Sequence, residues 1–250
     1  KTRARIAILS GCAQPVLTPA INQATLDLLT RFDVEVVVPE GEGCCGALTH
    51  HMGREHVAHQ SAKNNVDVWT REIENGGLDA IIITASGCGT TIKDYGHMLR
   101  DDPEYGEKAK RVSELAKDIT EFLVTLELPK VTRDEEMIVT YHSACSMQHG
   151  QKITNHPKDL LRSAGYTVRE PAEAHLCCGS AGTYNIMQSE IADKLKTRKV
   201  GNLERTKPDV IAAGNIGCIT QIGSGTDIPI IHTIELLNWA YGGPKPVGLN

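Results

Sequence analysis

One cysteine pattern occurs twice in the chain, and this duplication constrains the fold more than any other feature of the sequence. Each copy holds a single cysteine, a Cys-Cys-Gly triplet that begins 32 residues later, and a final single cysteine 40 or 43 residues beyond the pair. The first copy comprises Cys12, Cys44, Cys45 and Cys88, and the second comprises Cys145, Cys177, Cys178 and Cys218. A shift of 133 residues superimposes the first three cysteines of the two copies. The chain is therefore expected to fold as two copies of one unit.

Short apolar runs rich in β-branched residues lead up to the four single cysteines. Runs of this kind, bounded by turn residues, are typical of buried parallel strands. Four strands are predicted within the runs that end at their cysteines, residues 6–12, 80–88, 137–145 and 210–218, and residues 34–38 and 166–169 supply the second strand of each half. The predicted helices between and after them cover residues 19–31, 53–75, 108–126, 157–164 and 188–204. The order strand, helix, strand, helix, strand thus occurs twice.

This order predicts an α/β fold made of two pseudo-symmetric, Rossmann-like, doubly wound halves with mainly parallel sheets. The carboxyl ends of parallel strands lie at one edge of a sheet, and ligands bind at that edge. We therefore expect the four cysteines of each copy to converge there. The join is predicted within residues 127–136, where Pro129 and a run of charges interrupt the apolar pattern, which gives halves of 1–130 and 131–250.

Composition excludes several classes of protein. A chain of 250 residues with 40% hydrophobic and 23% charged residues has a core that needs no disulfides, and no secretory signal is visible. The net charge of −5 gives no electrostatic footprint for nucleic acid, and no apolar run has the length of a membrane span. Because the chain begins with Lys1 and not with Met, we expect a processed product or a part of a longer protein.

Four thiolates at one place suit either zinc or an iron–sulfur cluster. The type of ligand does not separate these two, because neither copy contains the Cys-x-x-Cys knuckle of a simple zinc site. Structural disulfides and inert buried thiols are the alternatives. Gly46 and Gly179 follow the cysteine pairs, and without a Cβ they let backbone N–H groups turn toward sulfur. His142, three residues before Cys145, is the histidine most expected beside a metal site, supporting its ligands.

Other catalytic patterns are missing. The sequence has no Gly-x-Gly-x-x-Gly after a strand, no Gly-x-x-x-x-Gly-Lys-Ser/Thr and no Gly-x-Ser-x-Gly. No flavin, nicotinamide or nucleotide pocket is therefore predicted, and no catalytic residue is assigned. The basic run of Arg198, Lys199, Arg205 and Lys207 is interpreted as a solvated helix face.

The doubled pattern resembles the CCG cysteine-rich domain found in heterodisulfide reductase, lactate-utilisation iron–sulfur proteins, the anaerobic glycerol-3-phosphate dehydrogenase C subunit and the glycolate oxidase iron–sulfur subunit. Longer stretches are similar to the last of these in particular. They lie at residues 84–89, 93–99, 149–152, 175–184 and 213–218. The resemblance extends from Arg5 to about Trp239.

The resemblance implies an electron-transferring iron–sulfur subunit of a glycolate dehydrogenase complex, which oxidises glycolate to glyoxylate at a separate flavin subunit. The implied cofactors are 4Fe–4S clusters held by the eight cysteines, with zinc as the alternative and FAD only in the partner. The implied acceptor is a carrier such as a quinone, and the implied location is cytoplasmic, with peripheral attachment to the inner face of the membrane left open. A lactate-utilisation or heterodisulfide-reductase-type subunit, or a zinc-binding or metal-free docking module, are the alternatives.

Two departures from the family pattern affect these expectations. The subunit family usually begins with a ferredoxin-like segment that carries closely spaced cysteines, and this chain has none, so it looks like the carboxy-terminal part of such a subunit. The cysteine-rich subunit of heterodisulfide reductase uses five cysteines per repeat, the last two as Cys-x-x-Cys, whereas Ala85 and Asn215 stand three residues before Cys88 and Cys218. Four thiolates per half suit a cubane cluster or zinc better than a noncubane cluster.

Overall fold

The computed structural model describes residues 2–133 and 135–249, and the chain divides into two compact units between Phe122 and Leu123. The division falls just before the join predicted at residues 127–136. The assignment of separate domains to residues 1–130 and 131–250 stays a prediction. Each unit contains one β-sheet of four strands.

The sheet of the first unit is entirely parallel and has the strand order β2-β1-β3-β4. Its strands are β1 Ala4–Ile8, β2 Val34–Val37, β3 Ala80–Ile83 and β4 Ala116–Asp118. The helices are α1 Gln14–Leu17, α2 Ala20–Arg31, α3 Ala47–His51, α4 Glu55–Glu74, α5 Ser86–Lys93, α6 Tyr95–Met98, α7 Gly106–Leu115 and α8 Ile119–Thr125, the last of which crosses the boundary between the units. Every residue of β3 is buried, because helices cover both faces of the sheet, and this burial explains its continuous isoleucine run.

The sheet of the second unit repeats this arrangement, with all strands parallel in the order β6-β5-β7-β8. Its strands are β5 Ile138–His142, β6 Thr167–Arg169, β7 Val210–Ala213 and β8 Ile230–His232. Its helices are α9 His156–Ser163, α10 Tyr184–Met187, α11 Ser189–Glu204, α12 Ile216–Gly223 and α13 Thr233–Ala240, and a π-helical turn spans Ser146–Gly150. The predicted fold class, two similar α/β halves with parallel sheets, is confirmed.

The prediction of three strands per half was wrong by one strand in each. The single helix predicted over residues 108–126 is interrupted by β4, which is short and carries a lysine and an aspartate. Val112, Ala116 and Ile119 are buried at helical spacing across this interruption, so the apolar pattern resembles that of one continuous helix. Where β4 ends and α8 begins, Asp118 Oδ1 accepts hydrogen bonds from the Thr120 N–H at 2.8 Å and from the Thr120 hydroxyl at 2.5 Å.

The fourth strand of the second unit, β8, is a three-residue edge strand that follows Pro229. Its shortness is the reason that its pattern gives little signal. Within the described ranges, no helix combines the length and the apolar composition that crossing a membrane requires.

Candidate metal centres

The structure brings the four cysteines of the first unit into one row at the carboxyl edge of the sheet. Cys12 follows β1, the Cys44–Cys45 pair lies in the loop after β2, and Cys88 lies in the first turn of α5, after β3. Neighbouring thiols interact electrostatically along the row, Cys12 with Cys44, Cys44 with Cys45, and Cys45 with Cys88. Cys12, at one end of the row, is exposed, Cys45 within the row is buried, and Cys44 and Cys88 are partly buried.

The second unit contains the equivalent row. Cys145 follows β5, the Cys177–Cys178 pair lies in the loop after β6, and Cys218 lies in the first turn of α12, after β7. Neighbouring thiols interact electrostatically along this row as well, Cys145 with Cys177, Cys177 with Cys178, and Cys178 with Cys218. All eight cysteines of the chain are described, and all carry free thiols. In each unit the residues that the sequence grouped together are therefore close in space.

The glycine of each triplet is required by the backbone. Gly46 and Gly179 have φ values of +81° and +92°, a left-handed conformation that side chains disfavour. A Cβ at Gly46 would lie 3.1 Å from the Ala58 carbonyl oxygen in α4, and a Cβ at Gly179 would overlap the Ala192 carbonyl oxygen in α11. The Gly46 N–H donates a hydrogen bond to Cys44 Sγ at 3.4 Å, and the Gly179 N–H donates one to Cys177 Sγ at 3.3 Å. The first sulfur of each pair thus has a backbone donor.

Two buried side chains hold the cysteine loop of the first unit. Asn65 Oδ1, in α4, accepts a hydrogen bond from the Gly43 N–H at 2.8 Å, and Asn65 Nδ2 donates to the Cys44 carbonyl at 3.2 Å. The Tyr95 hydroxyl donates to the Cys45 carbonyl at 2.8 Å. Sequence reasoning missed both residues. An asparagine on the buried face of an amphipathic helix, where apolar residues are usual, is the signal that points to Asn65.

A lysine performs the corresponding task in the second unit. Lys199 of α11 is 0% exposed, and its ammonium group donates to the carbonyl oxygens of Glu173 at 3.0 Å and of Ala174 at 3.3 Å. The Glu173 carboxylate accepts from Arg198 Nε at 2.8 Å and from Asn202 Nδ2 at 2.9 Å. For Lys199 the interpretation as part of a solvated helix face is therefore wrong. The ammonium group of Lys199 instead contacts the loop that precedes the cysteine pair.

His142 lies at the carboxyl end of β5 and is 1% exposed. One of its ring nitrogens and the sulfur atoms of Cys178 and Cys218 all lie within 4.8 Å of one another, and all three residues are buried. Among the described residues, neither ring nitrogen has a hydrogen-bond partner of normal geometry. Asn215, three residues before Cys218, donates from Nδ2 to Cys218 Sγ at 3.4 Å.

Contacts between thiols shift their pKa values in opposite directions. The pKa of Cys177 is lowered, first by its hydrogen bond to Cys145, and the pKa of Cys218 is lowered, first by its hydrogen bond to Cys178. The pKa of Cys145 is raised by its bond to Cys177 and by burial, and that of Cys178 is raised by its bonds to both neighbours and by burial. Alternate thiols of the row therefore resist ionisation as long as no cation lies among them.

In the first row, too, contact between thiols and burial raise thiol pKa values. Hydrogen bonding to Cys45 and burial raise the pKa of Cys44, and burial, followed by contact with Cys44, raises the pKa of Cys12. A bound metal supplies the positive charge that lets neighbouring thiols ionise together. Sulfur and imidazole donors are those that zinc, copper(I) and iron–sulfur clusters prefer. The donor set of each unit thus fits a soft metal centre.

Two Rossmann-like units, each with a row of four thiols at the carboxyl edge of its sheet, define a duplicated cysteine-rich domain. The family model for the CCG cysteine-rich domain matches residues 6–93 and 139–223. The chain belongs to this family, which confirms the resemblance drawn from its motifs.

Curated relatives are similar over nearly the whole chain. The glycolate oxidase iron–sulfur subunit of Escherichia coli (strain K12) is 39% identical over 236 residues, which are 94% of this chain and 58% of that protein. The probable glycolate oxidase iron–sulfur subunit of Bacillus subtilis (strain 168) is 32% identical over 248 residues, 95% of this chain and 55% of that protein. Lactate utilization protein A of Bacillus licheniformis is 30% identical over 242 residues, 94% of this chain and 99% of that protein. The chain thus spans little more than half of the two glycolate oxidase subunits.

One solved structure has the same fold. The crystal structure of a hypothetical protein from Helicobacter pylori aligns with a TM-score of 0.69 over 100% of this chain and 51% of that chain. Its sequence identity is 9%, so the likeness concerns the fold alone.

Proposed function

We propose that the chain is the cysteine-rich part of an iron–sulfur subunit in a complex of the glycolate dehydrogenase type. In such a complex, glycolate is oxidised to glyoxylate at the FAD of a separate partner subunit, and this chain contributes no complete active site. It receives electrons from that flavin and passes them to an acceptor such as a quinone, on the cytoplasmic side of the membrane. Each of the two units holds one metal centre, for which a 4Fe–4S cluster is the best candidate.

The observation that carries this proposal is the gathering of eight free thiols into two equivalent rows of four. Structural disulfides and inert packing do not account for this arrangement, because neighbouring thiols of each row interact and yet form no disulfide bond. Similarity supports the redox reading, since the Escherichia coli relative that is 39% identical is named as an iron–sulfur subunit of glycolate oxidase.

The chain's own residues would hold and tune such centres. The thiolates bind, and the Gly46 and Gly179 N–H groups donate to sulfur and so stabilise its negative charge. Burial of Cys45, Cys178 and Cys218 keeps water from the inner sulfurs. When bound, an iron–sulfur cluster exchanges single electrons at a potential that depends on burial and on hydrogen bonds to sulfur.

Metal analysis tests the redox role. The chain is purified without oxygen, its iron, sulfide and zinc are measured, and electron paramagnetic resonance spectra are recorded after reduction with dithionite. We expect iron and sulfide in equal amounts and a paramagnetic signal after reduction. Two zinc ions per chain and no sulfide would instead favour a structural or docking module and would end the electron-relay proposal.

Independence of the two centres is tested by a matched pair of variants. Cys45→Ser is expected to lose the metal of the first unit only, and Cys178→Ser that of the second unit only. Each variant serves as the control for the other, because the two residues occupy the same place in the two rows. Loss of all metal from either variant would contradict two independent sites.

Sequence similarity supports a second candidate function. Lactate utilization protein A of Bacillus licheniformis is 30% identical over 242 residues, compared with 39% over 236 residues for the Escherichia coli glycolate oxidase subunit. Reconstitution with the flavin partner, followed by dye reduction with glycolate or with lactate, separates the two. Reduction with glycolate supports the first proposal, and reduction with lactate alone supports a lactate-utilisation role.

A further inference from the structure

We propose that His142 binds the metal of the second unit directly and takes one of the four ligand positions that a cubane cluster or a zinc ion offers. This centre then has a mixed thiolate and imidazole donor set, and one thiol of its row stays unbound. The first unit then holds its metal with thiolates alone. This inference rests on the proposal that the thiol rows hold metal, but it concerns a different residue type and a difference between the two halves. Sequence reasoning placed His142 only beside the site.

The position of the imidazole supports direct binding. A ring nitrogen and the sulfur atoms of Cys178 and Cys218 lie within 4.8 Å of one another, so the three donors surround one point. Ligands of one tetrahedral zinc ion, with bonds of roughly 2.0 to 2.3 Å, lie about 3.5 to 4 Å apart. Small side-chain rotations therefore bring the three atoms to ligand spacing.

The hydrogen bonding of His142 also indicates a missing partner. A buried histidine normally uses both ring nitrogens, one as donor and one as acceptor. The His142 ring is 1% exposed, and among residues 2–133 and 135–249 neither nitrogen has a hydrogen-bond partner of normal geometry. Coordination to a metal gives one nitrogen the partner that the protein does not supply.

The duplicated fold provides an internal comparison. The shift of 133 residues that superimposes Cys12 on Cys145 places Leu9 at the position of His142. Leu9 is 3% exposed and belongs to an apolar cluster that also includes Cys45. The same position in the same fold thus accepts an apolar side chain, so packing alone does not require an imidazole. The histidine adds a donor atom to one row and not to the other.

The experiment uses the full chain, purified without oxygen from cells fed 15N-histidine. For an iron–sulfur centre, pulsed electron paramagnetic resonance of the reduced protein measures 15N hyperfine coupling, and for zinc, X-ray absorption measures imidazole scattering. The variants are His142→Cys, which offers a thiolate in place of the imidazole, and His149→Gln as control. His149 is exposed and lies seven residues further along the chain.

We expect the nitrogen signature in the unsubstituted chain and in His149→Gln, and its complete loss in His142→Cys with the metal content kept. A sulfur-only spectrum of the unsubstituted chain, or a signature that persists in His142→Cys, would overturn the inference. If His142→Cys does not fold, His142→Leu, which copies the residue found at Leu9, replaces it.

The outcomes separate this inference from the proposed function. Zinc with imidazole scattering that disappears in His142→Cys ends the electron-relay proposal and supports His142 as a ligand. Iron and sulfide with no nitrogen coupling support the relay and overturn the role of His142. A chain that takes up no metal overturns both.

Discussion

The glycines that close the two Cys-Cys-Gly triplets allow a quantitative test of how tightly each loop is held. Gly46 and Gly179 have φ values of +81° and +92°. Alanine in a left-handed conformation costs about 1–2 kcal/mol. The smaller entropy of the unfolded alanine chain offsets about 0.4–1 kcal/mol of this. A net loss of roughly 1 kcal/mol in the free energy of unfolding is therefore common to both substitutions.

The surroundings of the added Cβ distinguish the two positions. At residue 46 the Cβ lies 3.1 Å from the Ala58 carbonyl oxygen, a tight contact that a small shift of α4 relieves. At residue 179 it overlaps the Ala192 carbonyl oxygen, which belongs to the backbone of α11. Overpacking of this kind costs about 1–3 kcal/mol more. We therefore expect Gly46→Ala to lose about 1–2 kcal/mol and Gly179→Ala about 2–4 kcal/mol of unfolding free energy.

Urea unfolding of the metal-free chain measures these losses. Trp69 and Trp239 are the two tryptophans, one in each unit, so replacing either by Phe isolates the fluorescence of the other unit. Gly53→Ala is the control, because Gly53 has φ +73° and open space where the Cβ would stand, and it is expected to lose roughly 1 kcal/mol. If Gly179→Ala is no less stable than Gly53→Ala, the close approach of α11 does not constrain the cysteine loop and the reasoning is wrong.

Three further predictions concern buried polar groups. Burial raises the pKa of Asp118 to about 6 from 3.8, so its ionisation opposes folding. The free energy of unfolding should therefore fall by about 3 kcal/mol between pH 3 and pH 8, and Asp118→Asn should flatten this part of a pH series of urea midpoints. Lys199→Met removes a buried ammonium group beside the second thiol row, so we expect redox titration to give a lower reduction potential for that centre, whereas Arg198→Met, at an exposed neighbour, should leave it unchanged. Tyr95→Phe removes the donor to the Cys45 carbonyl, and a loss of about 1 kcal/mol in unfolding free energy is expected, together with faster release of metal to a chelator from the first unit only.

The sequence predicted the central strands because burial on both faces leaves a clear apolar signature, as in β3. It did not reveal β4, whose buried residues continue the helical spacing of the flanking helices, or β8, a three-residue edge strand, although the equally short edge strand β6 was predicted. The cysteine rows were predictable because a repeated spacing survives in sequence even when the residues between the cysteines differ. Asn65 and Lys199 were not, because their role depends on which face of a helix packs against a loop far away in the chain.

The duplication keeps the thiols but changes the charge around them. Ala58 and Ala192 face the two triplet glycines, and seven residues further along the same helices stand Asn65 and Lys199, one neutral and one cationic. The first unit also has a partly buried carboxyl, Glu42, close to its cysteine pair, and burial raises the pKa of that group.

The second unit has instead a buried ammonium group at Lys199 and a buried imidazole at His142. The positive charge of Lys199 near a thiolate-bound centre stabilises the reduced state of that centre, and an ionised acidic group does the opposite. Two centres built on one plan are therefore expected to differ in potential, with the second more easily reduced.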